Sequence, residues 1–157
     1  MKVVISGSRT INDSSLIDMA VAESGFDISQ VVSGGAKGVD SLAVAWAEKN
    51  EIPVEIFAAT WDILTHPDAI IRTTKWGQKY DAKAGLRRNE LMAVYGQALI
   101  AIWDGTSHGT KHMIKQARKR ELPIFVYRTD LPYKTGMLEY ESRKQFYARI
   151  VKQVNSS

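Results

Sequence analysis

At 157 residues, with 45% hydrophobic and 24% charged side chains, the chain has the length and composition of one folded domain rather than of a disordered or low-complexity segment. It contains no cysteine, which excludes disulfides, thiolate metal sites and a cysteine nucleophile. The net charge of +4 mildly favours anionic partners but is too small to define a nucleic-acid binder.

The first apolar run is Val3-Val4-Ile5, followed by a helical pattern over Ser14–Glu23 with Leu16, Ile17, Met19, Ala20 and Val21. Gln30-Val31-Val32 precedes an Ala-rich helix over Ser41–Asn50, and Pro53–Phe57 is the third strand. From Ala58 to Lys83 no strand is expected; a short helix near Asp68–Thr73, or a lid over a site, would account for so long a connection. A helix over Leu86–Tyr95, a strand over Ala98–Trp103, a helix over Lys111–Glu121 and a strand over Pro123–Tyr127 follow. A last helix is expected over Tyr140–Val154, before the short polar tail 155–157. The strands are nearly continuous in apolar residues, as strands covered on both faces are. Their alternation with helices predicts a single Rossmann-like three-layer α/β/α domain over 1–154, with a mostly parallel five-stranded sheet. No apolar run approaches the roughly 18–20 residues that span a bilayer, and no signal-peptide pattern opens the chain, so a cytoplasmic address without membrane contact is expected.

In an open parallel sheet, ligands bind at the carboxyl ends of the strands. Three of those ends carry small, glycine-rich loops: Gly7-Ser8-Arg9, Ser33 to Asp40, and Asp104 to Thr110. Glycine turns that open helices expose backbone N–H groups at the positive end of the helix dipole, which suits a phosphate. Glycines also serve simply to make tight turns. The familiar phosphate motifs do not fit. Gly105 to Lys111 has three residues between its glycines where a P-loop has four, and Thr110 intervenes before the lysine. Gly34 to Gly38 is not G-x-G-x-x-G. Gly105 to Gly109 matches the G-x-S-x-G nucleophile elbow, but no histidine follows Asp130 to complete a hydrolase triad. His108 and His112 lie four apart without the glutamate of a zinc protease, so no metal is expected, and no cofactor.

Asp40 suits either a helix cap or a ligand hydroxyl. Arg87-Arg88-Asn89 places two cations at a helix start, against the dipole, which a charged ligand at Arg88 or Asn89 would offset. Trp61, Trp76 and Tyr80 lie among Lys75, Lys79 and Lys83, a mixture that can stack bases and hold phosphates or can form a small satellite core.

Four segments occur in a telling order: Gly7-Ser8-Arg9, Gly34 to Asp40, Arg88-Asn89-Glu90-Leu91-Met92, and Trp103 to Thr110. Together they resemble the SLOG superfamily, which joins the DprA/Smf DNA-processing proteins with the LOG enzymes, and within it the small YspA-like branch. The resemblance covers Met1 to Arg128, with Val39 standing where the branch usually has alanine. It implies a Rossmann-like fold that takes nucleotides or nucleotide-derived ligands, often as a homo-oligomer. LOG members cleave the N-glycosidic bond of nucleoside monophosphates with a glutamate and an arginine; DprA binds single-stranded DNA. Aligning Gly109-Thr110 with the LOG motif puts Met113 at the glutamate position, where a thioether can neither move a proton nor stabilise positive charge. Arg87 or Arg88 would be the arginine counterpart, and Asp40 or Asp104 would have to substitute for the acid.

The leading expectation is therefore a nucleotide-binding sensor or sequestering domain. Gly35, Gly38 and Gly109 would approach the ligand closely, and Arg9, Lys37 and Arg88 would pair with its charge. Asp40 and Asp104 would accept hydroxyl protons, and Gly7, Ser8, Gly34, Asn89, Gly105, Ser107 and Thr110 would complete the site. The rivals are a nucleotide N-glycosidase using Arg88, Asp104 or Asp40, and a single-stranded DNA-binding module. All require the turns around residues 8, 36 and 107 to meet in space.

Overall fold

The computed structural model describes residues 1–131, the backbone of 136–140, and residues 151, 152 and 154–156. In chain order the elements are β1 (Lys2–Gly7), α1 (Ser15–Ser24), β2 (Gln30–Ser33), α2 (Val39–Lys49), β3 (Val54–Ile56), β4 (Ile71–Thr73) and β5 (Lys79–Asp81). They continue with α3 (Ala84–Tyr95), β6 (Ala98–Trp103), α4 (His108–Lys119), β7 (Ile124–Arg128) and β8 (Gly136–Tyr140). The expected five strands form one parallel sheet, and β8 adds a sixth, antiparallel to β7, at its edge; the order is β3-β2-β1-β6-β7-β8.

Alternation along each strand explains why the apolar runs are continuous. Val3 and Ile5 join Ala98, Ile100 and Ile102 beneath α1 and α2, through Ile17, Ala20, Val39, Ala43 and Ala47. Val4 faces the other way with Leu99 and Ala101, beneath α3 and α4, through Met92, Ala93, Met113, Ile114 and Ala117. Each central strand thus needs apolar residues at both parities.

From β1 the chain moves outward through β2 to β3, then returns to place β6 on the other side of β1. The strand order therefore reverses between β1 and β6, and the crevice at their carboxyl ends is the natural ligand position of such a sheet.

Two expectations need correction. The 58–83 segment contains no helix near Asp68–Thr73; Ile71–Thr73 pairs with Lys79–Asp81 as a separate antiparallel hairpin. Its turn is closed by Gly77 at φ +83°, with the Gly77 amide on Thr74 O at 2.9 Å. Strands of three residues are too short to show a period of two, so the sequence pattern was silent there. Of the expected helix from Tyr140, Tyr140 itself ends β8; residues 141–150 lie outside the described residues, and 151, 152 and 154 are helical. No helix among the described residues is long and apolar enough to cross a membrane.

One glycine holds the site's two nearest loops in contact. Gly38 has φ +75°, and a Cβ there would run into the Ser8 carbonyl oxygen and lie 2.6 Å from the Arg9 carbonyl carbon. The adjacent Val39 amide donates to Ser8 O at 3.3 Å. Gly38→Ala should therefore destabilise the fold by about 2–3 kcal/mol through backbone strain and the lost approach. A shift of the urea midpoint reads this; an unshifted midpoint would mean the close approach is dispensable.

Candidate functional site

Ser8, just past β1, ties the three glycine-rich loops together. Its amide donates to Ile102 O at 3.1 Å, its hydroxyl accepts the Asp104 amide at 3.1 Å, and its carbonyl accepts the Val39 amide. It is buried, so its hydroxyl belongs to the joint between loops rather than to an open surface.

The 33–40 loop is organised around its two polar ends. Ser33 Oγ donates to Asp40 O at 3.2 Å and accepts the Gly35 amide at 3.2 Å. The Asp40 carboxylate accepts the Ala36 amide at 3.2 Å. Asp40 is not the helix cap: Gly38 holds that position without a side-chain cap, and Asp40 sits in the first turn of α2. Burial pushes the Asp40 carboxyl above its ordinary range, opposed by the Ala36 amide and by the charges of Arg88 and Arg9.

The neighbouring arginines of α3 part company. Arg87 is bound to the buried Asp81 and donates to Asp68 at 2.7 Å. Burial works against ionisation of Asp81, but Arg87 and the Lys83 and Ile70 amides more than reverse it and hold the carboxyl below its usual range. Arg87 therefore clamps the β4–β5 hairpin to α3, which explains a cation there without any ligand. Arg88 instead reaches across to Gly34 O at 2.8 Å and donates through Nε to Asn89 Oδ1 at 3.0 Å. Asn89, buried, donates to Gly109 O at 3.2 Å and so links α3 to the start of α4. No ion pair involves Arg88 or Arg9 among the described residues.

The 104–110 loop uses Asp104 as a staple. Its carboxylate accepts the Thr106 amide at 2.9 Å and the Ser107 amide at 2.8 Å, and these bonds hold it below the usual carboxylate range. Ser107 leads into α4 without a side-chain cap, and the Thr110 hydroxyl donates to Ser107 Oγ at 3.3 Å. The first turn of α4 thus presents backbone amides that lack intrahelical acceptors.

These loops enclose a cleft of about 220 Å³ lined by Ser6, Gly7, Arg9, Ala36, Asp40, Arg88, Asn89, Met92, Ser107, Gly109 and Thr110. The turns around residues 8, 36 and 107 do meet, at the strand-order reversal. Gly34 and Gly35 line an adjoining depression, and Lys37 another with Gly35 and Trp61. Ser8 and Gly38 are buried and shape the loops, and half-buried Asp104 staples its own loop without lining the cleft. Gly105 stands apart, turned toward Asp130 and Arg128. Ser6, Ala36 and Met92 line the cleft as well, and their residue types alone do not mark them as ligand residues. Met113 is fully buried among apolar residues and does not line the cleft.

The raised Asp40 carboxyl has a stability consequence. A carboxyl whose pKa is raised by folding favours the fold below its unfolded-state value, and that contribution is lost as pH rises through the folded value. The stability of the wild type relative to Asp40→Asn should therefore improve as pH falls toward the ordinary carboxylate value of 3.8. Urea denaturation of both proteins across pH checks this; a difference independent of pH would contradict the buried carboxyl.

The YAcAr family profile, the YspA, cpYpsA-related SLOG family, matches residues 1–63. The Gene 61 protein of Mycobacterium phage D29 is 30% identical over 133 residues, covering 78% of this chain and 93% of that protein. Among solved structures, DNA processing protein A (DprA) of Streptococcus pneumoniae superposes with a TM-score of 0.57 at 19% identity. The match covers 80% of this chain but 49% of that one, so the chain spans about half the length of that protein. The Helicobacter pylori DprA, described with a single-stranded DNA binding mode, gives a TM-score of 0.53 at 22% identity over 98% of this chain and 73% of that one. At these identities the structural likeness is one of fold. With a relative at 30% identity along nearly its whole length and the family profile on the amino-terminal strands and loops, the chain belongs to the SLOG family, in its YspA-related branch.

Proposed function

We propose that the cleft binds a nucleotide or nucleotide-derived ligand. The observation that carries this reading is the convergence of two guanidinium groups, Arg9 and Arg88, free of ion pairs among the described residues, on the uncapped start of α4. Burial pulls Arg88 below the ordinary guanidinium value, and Arg9 adds to this, whereas Asp40 opposes it. A phosphate would relieve both the burial and the like-charge repulsion, and helix amides would share its oxygens. Asp40 would then accept a sugar hydroxyl, since an anion placed directly against its carboxylate would be repelled.

Binding suits the site better than turnover. Buried Met113 leaves the LOG glutamate position without an acid, and Asp104 is held ionised by loop amides. Of the cleft's described side chains, Asp40 is the carboxyl left to perform acid–base work. Release of free base from a panel of nucleoside monophosphates, followed by chromatography, would convert this reading into the glycosidase one.

The single-stranded DNA reading has its own support. Trp76 is 82% exposed at the hairpin turn, with Lys75 Nζ 4.4 Å from its ring centre, and the fold is that of DprA. A salt-sensitive mobility shift would favour it.

Arg88→Ala should weaken nucleoside monophosphate binding by about 1–3 kcal/mol in calorimetric titration. Equal affinities in wild type and variant would remove Arg88 from the site. Gly109→Ala separates binding from folding. A Cβ there meets nothing within 4 Å, so the methyl enters open cleft space. The thermal midpoint should rise slightly, from about 0.4–1 kcal/mol of lost freedom in the unfolded chain, while affinity falls; unchanged affinity would place the ligand elsewhere.

A further inference from the structure

The cleft does not end at Arg88. Arg9 also lines three adjoining depressions, of about 330, 380 and 330 Å³, and Trp61 lines all three. Their walls include Ile56, Ala58 and Ala59 on the side of β3, and Tyr80 and Thr74 on the hairpin. Ile56 is 52% exposed and Trp61 36% exposed, so an apolar wall stands open beside a charged cradle.

That wall is held in place. The Trp61 ring lies over Gly85 of α3, where a Cβ would come within 2.7 Å of its Cη2. Its carbonyl accepts the Asp81 amide at 2.8 Å, and Asp81 is itself fixed by Arg87. An aromatic surface positioned in advance binds a planar partner with little ordering cost. The cradle alone, at about 220 Å³, is smaller than the roughly 300–1,000 Å³ of ordinary small-molecule sites. It has room for a sugar phosphate, and only the neighbouring space admits a heterocycle as well.

We propose that the Trp61 wall is a base subsite, on which the purine or pyrimidine of a nucleoside phosphate packs while its phosphate sits at Arg88 and the start of α4. Arg9, common to cradle and annex, lies where sugar and base would meet. This rests on the nucleotide reading above and adds that the heterocycle, not the sugar phosphate alone, supplies a separate share of affinity.

Calorimetric titration of the full chain with ribose 5-phosphate and with the four ribonucleoside 5′-monophosphates tests it. At least one nucleotide should bind wild type about tenfold to a hundredfold more tightly than ribose 5-phosphate, the scale of one base stacking on an aromatic ring. Trp61→Leu should bring that nucleotide down to the sugar-phosphate level and leave ribose 5-phosphate unchanged; Trp61→Phe should keep most of the preference. If wild type binds all five alike, or if Trp61→Leu weakens ribose 5-phosphate as much as the nucleotide, the base subsite is overturned while the phosphate cradle stands. If none of the five binds, the cradle reading falls and the subsite with it.

Discussion

Everything at the carboxyl edge of the sheet depends on how closely three loop backbones approach one another at Ser8. A residue that gives its amide to β6, its hydroxyl to the loop after β6 and its carbonyl to the start of α2 leaves those loops little freedom to part. The contact requires Gly38, because a side chain there would occupy the place of the Ser8 and Arg9 backbone. Were the loops even a few ångströms apart, Arg88 could not reach Gly34 and Asn89 could not reach Gly109, and the cleft would open into solvent. Buried backbone bonds of this kind are modest individually, but each lost one leaves a polar group without a partner.

Onto this frame the chain distributes charge unevenly. Arg87 and Arg88 are neighbours in sequence, yet one closes a buried ion pair and the other faces a cleft with no carboxylate bonded to it among the described residues. Arg128 resembles Arg87, being matched to Asp130 through two bonds of 2.7 and 2.6 Å. Cations that stabilise the fold have found acids; Arg88, at the cleft, is held by the Gly34 carbonyl and the Asn89 side-chain amide, which position a guanidinium without neutralising it. Asp40, buried close to them, lowers the electrostatic cost of keeping two arginines together while the site is empty.

The likeness to DprA is one of fold, so a ligand site depends on what this chain places at the cleft. The hairpin formed by β4 and β5 is the clearest case. Its anchoring through Asp81 and Arg87 lies outside the central sheet, and it carries Tyr80 and Thr74 to the edge of the same groove that the glycine-rich loops begin.

Much of this was legible from residue order. Continuous runs such as Val3-Val4-Ile5 and Ala98–Trp103 require cover on both faces, and the helices between them require parallel connections, so the sheet and the edge bearing the site follow from local pattern. The convergence of the loops at Gly7, Ala36 and Ser107 follows from the same topology. The division of labour inside the site did not. Successive residues on a helix point about 100° apart, so Arg87 and Arg88 look alike in sequence and acquire different partners only when Asp81 and Gly34 are brought to either side of α3. Ser8 reads as a ligand donor until its burial between three loops is known. The hairpin was invisible because three-residue strands carry no period, and its register is set by a glycine turn and a buried ion pair. Local sequence determines which elements form and which edge they share; whether a polar side chain on that edge joins the frame or faces the ligand depends on what distant segments place beside it.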